Sequence, residues 1–150
     1  MQTAPLVPDC ILKLPATFAA HARAAGELRR VLAGRGIGAK SRYNAELVFE
    51  EIISNIIRHA CSDHAQCTIE VGLRFMDNAI VMSFQDNGPP FDPRAYELPE
   101  MPRSFESARD GGLGLLLVNQ SSERLDYEWT RQNKNHLTVT IALADAASAA

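Results

Sequence analysis

Several things are scarce in this sequence. It has three cysteines, Cys10, Cys61 and Cys67, an odd number in a chain of 150 residues, so no disulfide framework is implied. There is no surplus of basic charge. The formal net charge of -3 argues against a nucleic-acid binder, which would normally carry a basic stripe. No apolar run approaches the ~18 residues of a membrane span. The start, MQTAPLVPDC, lacks a basic segment followed by an apolar one, so no signal peptide is visible and the expected location is the cytoplasm. The composition, 46% hydrophobic and 22% charged, is that of a soluble globular chain of a size suited to one domain.

Residues 1 to 9 read as a flexible leader and 144 to 150, rich in alanine, as a disordered tail, leaving one domain over 10 to 143. ILKLPA (Ile11 to Ala16) alternates and stops at a proline, as a short edge strand does. Thr17 to Leu32 is rich in helix formers and ends at GRGIG. A second helix is expected from an N-cap near Ser41 to about His59. CTIEVGLRF has period two, with Cys67, Ile69, Val71, Leu73 and Phe75 on one face; Asp77-Asn78 turns into a partner strand, AIVMSFQ. From Asp86 to about Gly112 no periodicity is visible, as in a functional lid. LGLLLVNQSSE resumes as a helix. RLDYEWTRQ then places Leu125, Tyr127 and Trp129 on one face, and HLTVTIAL returns with Leu137, Val139, Ile141 and Leu143 inward. The expected fold is an α/β (α+β) two-layer sandwich, a mostly antiparallel sheet covered on one face by helices.

Three short segments carry chemistry. In EEIISNIIRHA, Glu51 and Asn55 lie ~40° apart on a helical wheel, at the border of the face formed by Ile52, Ile53, Ile56 and Ile57. A carboxylate there can act as general base, and the amide oxygen suits Mg²⁺, a hard ion. In QDNGPPFDP, Asp86 follows a strand, where a carboxylate can accept from an exocyclic amine such as adenine's, and Gly88 admits a flat base close to the backbone. DGGLGLLLV opens a helix on glycines, which frees N–H groups for phosphate, but it is neither a P-loop nor a dinucleotide fingerprint. His59, Cys61, His64 and Cys67 form a cluster whose spacing matches no zinc pattern; a helix end, a polar turn and a half-buried Cys67 account for it.

The order of these segments, E-x3-N on a helix, D-x-G after a strand, a lid, then G-x-G opening a helix, resembles the GHKL (Bergerat-fold) ATPases. This superfamily includes gyrase B, Hsp90, histidine-kinase and MutL proteins. Within it the chain is most similar to the anti-sigma factor serine/threonine kinases, over about residues 10 to 143. The resemblance implies ATP and Mg²⁺ as cofactors, Glu51 as general base and Asn55 as the magnesium ligand. It likewise implies Asp86 and Gly88 at adenine, Gly112 and Gly114 at the phosphates, and Thr138 or Thr140 assisting adenine through water. Arg58 and His59 are further candidates for phosphate contact, and the lid residues Arg94, Arg103 and Arg109 for phosphate or partner contact, with the ATP lid at about Pro93 to Gly111. The implied activity is phosphorylation of a STAS-domain anti-anti-sigma factor by a kinase that sequesters a sigma factor, commonly as a homodimer. The alternative is an ATP-binding partner switch that only sequesters. His21 lies on a single helix and not in a dimerisation hairpin, unlike the phosphoacceptor of a complete histidine kinase.

Overall fold

The computed structural model describes residues 7–61, 66–95 and 113–143. Strand β1 (Cys10–Pro15) leads to helix α1 (Phe18–Gly34), capped by Thr17, whose hydroxyl accepts from the Ala20 N–H at 3.1 Å. Helix α2 (Ala39–Asn55) follows and continues into a π-helical turn over Ile56–Ala60. It begins two residues before the expected Ser41, which is buried inside its first turns. Strands β2 (Thr68–Phe75) and β3 (Ala79–Asp86), helix α3 (Leu113–Ser121), and strands β4 (Arg124–Trp129) and β5 (Asn135–Ala142) complete the described chain.

The five strands form one sheet in the order β1-β2-β3-β5-β4, antiparallel at every pairing. Its period-two alternation sorts the side chains. Leu12 and Leu14, Ile69, Val71 and Leu73, Ile80, Met82 and Phe84, and Leu137, Val139 and Ile141 are buried beneath the helices. Helix α1 adds Ala24, Leu28 and Leu32 to this core, and α2 adds Val48, Phe49, Ile52 and Ile53. Ile56 and Ile57 are buried as well, so the four-isoleucine face read from the sequence does meet the sheet. The opposite sheet face carries half-exposed residues such as Glu70, Ser83 and Thr140.

Residues 7–9 of the expected leader are tied to the sheet: Asp9 N–H donates to Leu73 O at 2.7 Å and its carboxylate accepts from Phe75 N–H at 2.8 Å. Pro8 packs over Gly72, where a Cβ would lie 3.3 Å from the proline and 2.5 Å from Ser83 Oγ. Residues 1–6, the tail 144–150, and nearly all of the expected lid, including Arg103 and Arg109, lie outside the described residues. No helix among the described residues is long and apolar enough to cross a membrane.

Candidate functional site

Where β3 ends and β5 begins, the inward row of the sheet turns from apolar to polar. Asp86 and Asn135 are cross-strand partners on the same face as Phe84 and Leu137, and both are buried. Each therefore needs a partner. Asp86 Oδ1 accepts from Gly88 N–H at 2.9 Å and from Asn135 Nδ2 at 3.0 Å. Asn135 Nδ2 also donates to Pro89 O at 2.8 Å. Its Oδ1 accepts from Phe91 N–H at 2.9 Å and from the Tyr127 hydroxyl. One amide thus fastens the strand end, the Gly88–Phe91 segment and β4 together. Burial pushes the Asp86 carboxyl above the usual range, opposed by the hydrogen bonds from Asn135 and Gly88. Replacing Asn135 with Ala strands several buried groups at once, so a loss of about 2–4 kcal/mol in urea unfolding is expected, at about 1–3 kcal/mol per unsatisfied group.

Across from this pair lies the end of α2. Asn55 is its last residue, and the following turn widens so that Cys61 N–H bonds to Ile56 O at 2.8 Å, an i→i−5 step. Single π turns of this kind recur at functional sites. Asn55, Asp86 and Asn135 line one small, partly open cleft. Its walls are apolar, from Ile52 and Ile56 of the helical side, Phe84 and Leu137 of the sheet, and Phe91. Outside it, the His59 ring stacks on Phe91 with centroids 5.8 Å apart and planes 11° from parallel. A largely apolar lining that includes one buried carboxylate offers the chemistry that a heterocycle bearing an amine would need.

Glu51 stands one helical turn before Asn55, half-buried but outside the residues lining this cleft. Burial raises its carboxyl pKa, the neighbouring Glu50 charge raises it further, and Arg58 works against both. Such a carboxylate is a better proton acceptor than an exposed one.

Of the residues singled out in the sequence, Asn55 and Asp86 line the cleft, Gly88 is bonded to Asp86 outside that lining, and Glu51 stands one turn before Asn55. Gly114 is the second residue of α3, which packs against α2; Gly112 is outside the described residues. Thr138 and Thr140 are corrected: by strand alternation their side chains lie on the sheet face opposite Asp86, with Thr138 paired to Ser83. The inward position at that end of β5 belongs to Asn135, which extending the Leu137-Val139-Ile141 alternation back one step would have found. Tyr127 and Phe91 were likewise not singled out as site residues. Arg58 is exposed, with its guanidinium 6.0 Å from the Phe18 ring centroid, and Arg94 is held by Asp92 at 3.1 Å. His21 is buried, with Nε2 3.0 Å from Glu50.

A second correction concerns cysteine. Cys61 and Cys67 form a disulfide, with Cα atoms 5.7 Å apart, and both are buried; Cys10 is free. An odd count excludes a framework but not one local bridge, and the passage from the end of α2 back to β2 brings these two together. His64 of the same cluster lies outside the described residues.

Magnesium fits the donor set near Asn55: an amide oxygen at the cleft with a carboxylate one turn back is oxygen chemistry, as a hard cation requires.

Comparison with known proteins follows the same lines. The histidine kinase-like ATPase domain family matches residues 14–141. A serine/threonine-protein kinase, BtrW, of Bordetella bronchiseptica is 32% identical over 102 residues, which are 68% of this chain and 71% of that protein. Among solved structures, the SiaB-SiaC complex from Pseudomonas aeruginosa superposes with a TM-score of 0.62 at 20% identity, covering 89% of this chain and 89% of the matched chain. The RsbU and RsbW domains of a Mycobacterium tuberculosis protein give 0.58 at 16% identity, covering 91% of this chain and 33% of that one. These two likenesses concern the fold.

Proposed function

Because the chain belongs to the histidine kinase-like ATPase domain family, we propose that it is an ATP-dependent protein serine/threonine kinase of the anti-sigma factor type. The observation that carries this reading is the buried Asp86 in the lining of a largely apolar cleft that Asn55 also lines. Asp86 Oδ1 is occupied by Gly88 and Asn135, so Oδ2 is the atom to accept the adenine amine. Asn55 would hold Mg²⁺, which supplies charge neutralisation to the phosphate oxygens when bound. Gly112 and Gly114 would turn backbone N–H groups of the α3 start toward phosphate.

Glu51 takes the proton of the substrate hydroxyl as its oxygen attacks the γ-phosphorus and the bond to the ADP oxygen breaks. Positioning and electrostatics supply most of the acceleration in such a transfer. A nearby kinase relative at 32% identity supports the protein-kinase class over other uses of the fold. The retained Glu51 favours catalysis over a switch that only sequesters its partner. We assign a STAS-domain anti-anti-sigma protein as substrate, a sigma factor or similar regulator as the sequestered partner, a homodimeric kinase, and a cytoplasmic setting.

Isothermal titration with ADP and a non-hydrolysable ATP analogue, with and without Mg²⁺, tests the site. Micromolar binding strengthened by magnesium is the expected result. A protein that is folded and takes up neither nucleotide would overturn the kinase reading and leave the fold as a protein-binding surface.

A further inference from the structure

Nothing in the reaction above uses the two cysteines, yet they lie against its base-reading carboxylate. The Cys61 and Cys67 sulfurs and an Asp86 carboxylate oxygen lie within 4.8 Å of one another, and all three residues are buried. Cys61 closes the π-helical turn that follows Asn55. Cys67 stands just before β2, whose start is tied to the D-x-G turn: Thr68 N–H donates to Asn87 Oδ1 at 2.8 Å, and Asn87 Nδ2 donates to Gln66 O at 3.4 Å. The S–S bond therefore joins the helix end that follows Asn55 to the start of β2, whose Ile69 pairs with Asp86 and which is tied to Asn87.

From this placement we infer that Cys61 and Cys67 are a redox modification site, whose disulfide holds the nucleotide cleft in its binding form and whose reduction loosens it. The inference rests on the nucleotide reading of that cleft. On oxidation the two thiols give up two protons and two electrons and share one S–S bond; hydrogen peroxide accepts them to form two waters, or glutathione disulfide to form two molecules of glutathione. On reduction two sulfurs formerly at bonding distance need van der Waals separation, roughly 1.5 Å more, which the helix end or the Asp86 turn must absorb. The dithiol form is consequently less well organised for a ligand that meets both Asn55 and Asp86.

The experiment compares ADP affinity of the full chain after equilibration in reduced and in oxidised glutathione, with a chelator present to exclude adventitious metal. Quantitation of free thiols in denaturant accompanies it. Incubation must be long enough for local opening to expose the buried pair. Oxidation is expected to remove two thiols per chain, leave Cys10, and tighten ADP binding roughly five- to tenfold through preorganisation. A Cys61→Ser/Cys67→Ser double variant should bind as the reduced protein does in both buffers, and Cys10→Ser should respond as the parent does. If the double variant fails to fold, the wild-type comparison still decides.

Equal ADP affinity of both redox forms, a pair that stays thiol under oxidant, or a bridge that millimolar glutathione never opens overturns the switch and leaves the nucleotide site standing. Absence of ADP binding in both forms overturns the nucleotide reading and the switch with it.

Discussion

Glu51→Ala is expected to lower phosphoryl transfer by roughly two to four orders of magnitude, the usual range for a positioned general base, while changing ATP affinity little. The two expectations separate because Glu51 does not line the cleft assigned to adenine, whereas Asn55, one turn on, does. Single-turnover transfer to the substrate protein, set beside nucleotide titration of the same variant, reads both. Glu51→Gln keeps the shape and removes only the base, so it should be equally inactive. The pH dependence carries a sign. Burial raises the Glu51 pKa above 4.5, so the base form is gained as pH rises through a value higher than that of a free glutamate. The acid limb of the transfer rate should therefore lie above that of a free glutamate in the parent and vanish in Glu51→Gln. Loss of nucleotide binding in step with loss of transfer would remove Glu51 from the role of base.

Much of this was legible in the sequence because it rests on periodicity. The alternation in CTIEVGLRF and HLTVTIAL gives the inward rows of β2 and β5, and the isoleucine spacing gives the buried face of α2. Asp86 could be placed at a strand end, and Asn55 at the rim of a helix, on the same grounds. Asn135 was hidden by its neighbours: Asn133-Lys134-Asn135 reads as a turn, and only the pairing of β5 with β3 shows that its last asparagine belongs to the strand and faces Asp86. The Thr138 expectation came from resemblance and not from alternation, which already put both threonines opposite Leu137 and Val139. Cys61 and Cys67 lie in different elements, so their meeting depends on the tertiary path between α2 and β2, which no local pattern encodes. The π-helical turn is similar: IIRHA reads as ordinary helix, and its widening is visible only in the bond from Cys61 to Ile56.

For Asp86→Asn the expected result is a loss of nucleotide affinity of roughly ten- to 150-fold, about 1.5–3 kcal/mol for a hydrogen bond to a charged group, in a protein no less stable than the parent. The hydrogen bonds around the residue dictate which way the new amide faces. Gly88 N–H and Asn135 Nδ2 are both donors to Oδ1, so the Asn oxygen must stay where Oδ1 is. Its NH2 then replaces Oδ2 and meets the adenine amine donor to donor. Stability moves the other way. Burial is the largest influence on Asp86 and raises its pKa, so the native state binds the proton more tightly than the unfolded chain. Stability contributed by this residue is greatest below its unfolded pKa and falls as pH rises through the folded value. At neutral pH the carboxylate is thus a burden on the fold that a neutral amide does not carry, a common relation between a binding residue and its scaffold. Urea unfolding near neutral pH should show the variant equal to or above the parent, and nucleotide titration of the same sample should show the loss. Unchanged affinity in a folded Asp86→Asn protein would mean that adenine is read elsewhere.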